Sequence, residues 1–63
     1  MKVNGSTYNY EGQTVQEVLE DLAFRIDRIV VEYNGKILSK AEWESTRVSA
    51  ADIMEVVTFV GGG

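Results

Sequence analysis

Between residues 15 and 22 the apolar positions fall at Val15, Val18, Leu19 and Leu22. This i, i+3, i+4, i+7 spacing lays them along one face of a helix, with Glu17, Glu20 and Asp21 on the other. Thr14 and Glu17 have the capping-box spacing. The threonine hydroxyl can accept from the Glu17 amide while the glutamate reaches back to the Thr14 amide. Glu17 also lies in the first turn, where the helix dipole favours an anion. The pattern predicts a helix from about Thr14 to about Phe24, with no glycine to mark its stop. The acidic side reads as the solvated face of an amphipathic helix.

Elsewhere the pattern is that of strands. Met1-Lys2-Val3 meets Asn4-Gly5, a type I′ turn signal, and Ser6–Tyr10 returns antiparallel. After the link Arg25–Arg28, Ile29–Tyr33 opens with three apolar residues, turns at Asn34-Gly35 and returns as Lys36-Ile37-Leu38. Ser39 and Glu42 repeat the capping-box spacing and predict a short helical turn, in which Trp43 plugs one end of the core or anchors a partner. A loop follows with Val48 pointing inward, and Ile53–Val60 forms the last strand. Two hairpins, a helix between them and a final strand beside the first predict an α+β fold of the β-grasp, or ubiquitin-like, kind. About five strands make a mixed sheet packed on one main helix.

The last strand separates by alternation into two sets. Glu55 places its own set, with Val57 and Phe59, toward solvent; Met54, Val56, Thr58 and Val60 lie on the other side, where Met54 and Val56 are expected in the core. Val57 and Phe59 become an exposed apolar pair, left as partner surface unless a loop covers them. Gly61-Gly62-Gly63 follows at once. The organisation expected is a domain over residues 1–60 and a flexible glycine tail over 61–63. A strand that anchors a side-chain-free tail makes sense if the terminal carboxylate is the working group.

Composition narrows the chemistry. The 63 residues hold no cysteine and no histidine, which removes disulfides, thiolate and imidazole metal ligands, cysteine nucleophiles and Ser-His pairs. No metal site is expected, and 44% apolar residues must hold the fold by packing. Carboxylates remain, but none is marked as a catalytic pair, so the chain is a poor candidate for an enzyme. Ten acidic against six scattered basic residues leave a net charge of −4. This disfavours nucleic acid and favours a basic protein surface. No apolar run approaches a membrane span and no signal-peptide pattern opens the chain, so a cytoplasmic setting is expected.

Taken together, these features resemble the ThiS family, the sulfur carriers of thiamin biosynthesis. The resemblance rests on Gly12-Gln13-Thr14-Val15 opening the helix, Asn34-Gly35-Lys36 in the second hairpin, Glu42-Trp43 in the short turn and Phe59-Val60-Gly61-Gly62-Gly63 at the end. The Glu-Trp turn and the short chain favour ThiS over MoaD, the related carrier for molybdopterin synthase. Leu38-Ser39 stands where many members have a proline, and Ala50-Ala51-Asp52 where many have Asp-Gly-Asp.

The resemblance implies a carrier cycle. A ThiF-like enzyme would use ATP and magnesium to adenylate the Gly63 carboxylate, with no cofactor bound to the carrier itself. Sulfur from cysteine, through a desulfurase, would convert it to a thiocarboxylate, which serves a ThiG-like thiazole synthase. Gly61 and Gly62 would position the tail, and three extended residues reach roughly 10 Å. The same shape also suits a MoaD-like carrier with another client, a ubiquitin-like conjugating modifier, or a plain binding module.

Overall fold

Both Asn-Gly pairs turn the chain where the sequence places them. In the computed structural model, which describes residues 1–60, Asn4 and Asn34 take φ of 51° and 50°, and Gly5 and Gly35 follow at 83° and 86°. Positive φ at both central residues is what a type I′ turn requires. The first turn joins β1 (Lys2–Val3) to β2 (Ser6–Thr7), and the second joins β3 (Ile29–Tyr33) to β4 (Lys36–Leu38). With β5 (Ile53–Thr58) they form one sheet in the order β2-β1-β5-β3-β4. β5 is parallel to β1 and antiparallel to β3, so the last strand in sequence is central.

β2 is shorter than the expected Ser6–Tyr10. Tyr8 still exchanges hydrogen bonds with Met1: its amide donates to the Met1 carbonyl at 2.8 Å, and the terminal ammonium donates to its carbonyl at 2.9 Å. Asn9 and Tyr10 lie outside the strand. The rings of Tyr8 and Tyr10 lie 5.6 Å apart and pack half-buried against the core.

The capping box of Thr14 is complete. The Glu17 amide donates to Thr14 Oγ1 at 3.1 Å, and the Thr14 amide donates to Glu17 Oε1 at 2.8 Å. The helix, α1 (Val15–Asp21), buries Val15, Val18 and Leu19 against the sheet, with Leu22 half-buried beyond its end. It stops short of Phe24 because Ala23 turns left-handed at φ 62°. The Ala23 amide then reaches the Glu20 carbonyl and the Phe24 amide the Leu19 carbonyl, both at 3.0 Å. This is the Schellman closure, usually made by glycine. With alanine in that place, the sequence carries no visible stop.

The inner face of the sheet contributes Val3, Ile29, Val31, Met54 and Val56 to the core, and Val48 and Trp43 close its ends. Trp43 is only 2% exposed and its indole N–H donates to the Leu38 carbonyl at 3.2 Å, so it is a core residue and not a partner anchor. The short turn before it is a 3-10 helix (Lys40–Glu42) without the expected capping box. The tighter turn lets the Glu42 amide bond the Ser39 carbonyl directly at 2.9 Å. The Ser39 hydroxyl instead donates to the Glu42 carboxylate, also at 2.9 Å.

The two turn asparagines do more than turn. The Asn4 amide donates to the Met54 carbonyl at 2.9 Å. Its side chain then accepts from the Val56 amide at 2.7 Å and donates to the Val56 carbonyl at 3.1 Å. A carboxamide has the donor and acceptor of a peptide group, so Asn4 extends a two-residue β1 along β5. On the opposite side, Asn34 donates its amide to the Ile53 carbonyl at 2.8 Å and accepts from the Ile53 amide through its side chain at 2.9 Å. An aspartate at position 4 could accept but not donate.

Asn4→Gly keeps the positive φ and deletes only the side-chain bonds. Urea denaturation is expected to show a loss of about 2 kcal/mol. A change below about 0.5 kcal/mol would show that the carboxamide adds nothing beyond the turn.

Candidate functional site

Pairing with β3 carries β5 to Thr58, opposite Ile29, and the Phe59 amide adds a last bond to the Arg28 carbonyl at 2.9 Å. From there the chain leaves the sheet. Met54 and Val56 are buried as expected, while Thr58 and Val60, on the same side of the strand, are both exposed, Val60 to 87%. The alternation holds through Met54 and Val56, and fails where no element remains to cover the strand. The expected strand end at Val60 therefore moves back to Thr58. Gly61, Gly62 and Gly63, expected to position and carry the reacting carboxylate, lie outside the described residues.

The expectation for Val57 and Phe59 is met: they are 61% and 47% exposed, and no loop buries them. They belong to a larger surface. Strand register sets Val57 opposite Val30, Glu55 opposite Glu32 and Glu32 opposite Ile37. Ile53 lies two residues before Glu55 on the same side. Val30, Ile37 and Ile53 are exposed as well, so the sheet face turned away from α1 carries an apolar field around two carboxylates. Alternation in the sequence points to Val57 and Phe59 in this field. It does not point to Ile53, nor to Val30 and Ile37, which only register across strands brings beside them.

The other end of β5 is pinned by charge. Asp52 accepts from the Tyr33 hydroxyl, from the Ser49 amide at 2.7 Å and from the Asn34 side chain at 3.1 Å. Burial alone would raise the Asp52 pKa, but these hydrogen bonds outweigh it and hold the carboxyl below its ordinary range. Tyr33 is pushed up, first by burial and then by the bond to Asp52. The acidic side of α1 is also occupied internally. Glu17 completes the cap, Glu20 accepts from Gln16 at 3.2 Å, and Asp21 accepts from the Tyr10 hydroxyl. That last bond, aided by desolvation and the carboxylate charge, pushes Tyr10 up to about 12. Among the described residues, no group of three or more acidic side chains is placed to hold a metal ion. No described helix is long and apolar enough to cross a membrane.

The site is thus a central strand running out toward a glycine terminus beside an exposed apolar face. The family model described as the ThiS family matches residues 1–63. The chain belongs to the ThiS family. A crystal structure of the thiamine biosynthesis protein ThiS from Geobacter metallireducens is similar at a TM-score of 0.80 and 35% identity, over 98% of this chain and 96% of that one. It shares the β-grasp fold. The uncharacterized protein ycf40 of Trieres chinensis is 38% identical over 63 residues, 97% of this chain and 85% of that protein. The sulfur carrier protein ThiS of Bacillus subtilis is 28% identical over 65 residues, spanning 100% of this chain and 98% of the relative. A thiazole synthase of Magnetococcus marinus is 34% identical over 62 residues, 97% of this chain but 19% of the synthase.

The lowered pKa of Asp52 fixes a sign. Its contribution to stability is complete above the unfolded-state value of about 4 and is lost as pH falls through the lower folded value. Urea midpoints measured across acidic pH should therefore show wild type above Asp52→Asn near neutrality, with the gap closing in acid. A gap that does not change with pH would contradict this role for the charge.

Proposed function

We propose that this ThiS-family chain is a sulfur carrier for thiazole formation in thiamin biosynthesis, with the Gly63 carboxylate as the group that carries sulfur. The observation that bears this reading is the exit of the central strand β5, through exposed Phe59 and Val60, into a terminus of three glycines. The names of the Bacillus and Geobacter relatives support it. The chain is a substrate of enzymes and not itself an enzyme, and its setting is cytoplasmic.

A carboxylate is a poor electrophile, so it must be activated. In this reading a ThiF-like enzyme binds ATP with magnesium, and a Gly63 oxygen attacks the α-phosphorus as pyrophosphate leaves. The terminal sulfur of a cysteine-derived persulfide, generated by a desulfurase, then attacks the acyl-adenylate carbonyl and AMP departs. A second thiol cleaves the S–S bond of the acyl disulfide and releases the thiocarboxylate. A ThiG-like thiazole synthase takes the sulfur. The similarity of this chain to 19% of a thiazole synthase supports that pairing, since a carrier-like segment inside the synthase stands next to its client. Val57 and Phe59 dock the partner, while Gly61 and Gly62 let backbone pass through a channel too narrow for side chains.

Gly62→Val adds a branched side chain beyond the described domain. It is expected to lower ATP–pyrophosphate exchange with the ThiF-like enzyme at least about a hundredfold, leaving Tm unchanged. Exchange at the wild-type rate would remove the threading role of the tail.

A further inference from the structure

Glu32 and Glu55 stand directly opposite each other on neighbouring strands. Side chains so paired have Cβ atoms roughly 5 Å apart, and like charges there destabilise a sheet. Among the described residues neither glutamate forms an ion pair. The ion pairs among the described residues are those of Asp27 with Arg25 and Arg28. Lys2 pairs in register with Ile53 and forms no ion pair with either glutamate. The carboxylates lie within the apolar field: Val30 and Val57 are the next outward pair along β3 and β5, Ile53 lies beyond Glu55 on β5, and Ile37 stands across from Glu32 on β4.

We propose that this outer face docks a protein whose contact surface sets one arginine or lysine, ringed by apolar side chains, between Glu32 and Glu55. The inference rests on the carrier reading, which makes the adenylating enzyme such a partner, and adds the chemistry by which the carrier is chosen. Two carboxylates a strand spacing apart suit a guanidinium, which can donate to both. The surrounding apolar side chains exclude water as the surfaces meet, and this strengthens the charged bonds. A cation set between the two turns a like-charge pair into a site of attraction in the complex. The same pair selects against other occupants. A second copy docking face to face would place four carboxylates together, and an acidic surface would be repelled before contact. The net charge of −4 steers the approach in the same sense.

The test titrates the isotope-labelled chain with its cognate ThiF-like enzyme and compares wild type with Glu32→Gln and Glu55→Gln. Each variant should weaken Kd about tenfold and flatten its salt dependence. Tm should stay equal or rise, because the opposed charges are gone, which separates a docking role from a structural one. In wild type the amide shifts should centre on Val30, Glu32, Glu55 and Val57. Unchanged Kd in both variants, with adenylation intact, would overturn the docking inference and leave the carrier reading standing. So would partner-independent dimerisation through Val30 and Val57. Failure of the enzyme to adenylate wild type, when active on another carrier, would instead overturn the carrier reading and this inference with it.

Discussion

Everything in this fold depends on how β5 is held. The strand arrives last in the chain, yet it lies between β1 and β3 and supplies Met54 and Val56 to the core. A two-residue β1 could not hold such a strand by ladder bonds alone. The carboxamides of Asn4 and Asn34 supply the missing backbone-like groups, one on each side, and Asp52 fastens the strand at its start. Loop closure is costly for contacts so far apart in sequence, so the ends of β5 must be secured by more than apolar burial. The result is a central strand that stops at Thr58, with Phe59 and Val60 exposed beyond it.

That geometry divides the molecule into two kinds of surface. Facing α1, every large apolar side chain of the sheet has a covering partner. On the other side Val57, Ile37 and Ile53 are all more than half exposed. Among the described residues nothing buries them. Under the proposed function, apolar side chains left exposed on the face opposite the helix are the surface another protein would cover. The acidic side of α1, by contrast, is engaged in caps and local hydrogen bonds, and needs no partner to explain it.

Much of this was legible in the sequence, for physical reasons. The Asn-Gly turns, the Thr14–Glu17 box and the helical spacing of Val15 to Leu22 are local signals, and local energetics sets them. The central place of the last strand followed from its apolar character. Three features stayed hidden because they depend on tertiary context. Ala23 ends the helix in a conformation its side chain disfavours, tolerated because Leu22 and Phe24 pack against the core. The side chains of Asn4 and Asn34 look like turn formers until β5 arrives beside them. The opposition of Glu32 and Glu55 exists only once register is set between strands far apart in the chain. Within the site, Val57 and Phe59 could be read from alternation around Glu55, whereas Val30 and Ile37 could not.

The central claim is that the terminal carboxylate of Gly63 carries sulfur. Intact-protein mass spectrometry tests it most directly, after incubation with a ThiF-like enzyme, ATP, magnesium and a cysteine-derived persulfide source. The account predicts a mass gain equal to exchanging one oxygen for one sulfur, absent when Gly63 is deleted. No gain, with the same enzyme proven active on another carrier, would contradict it.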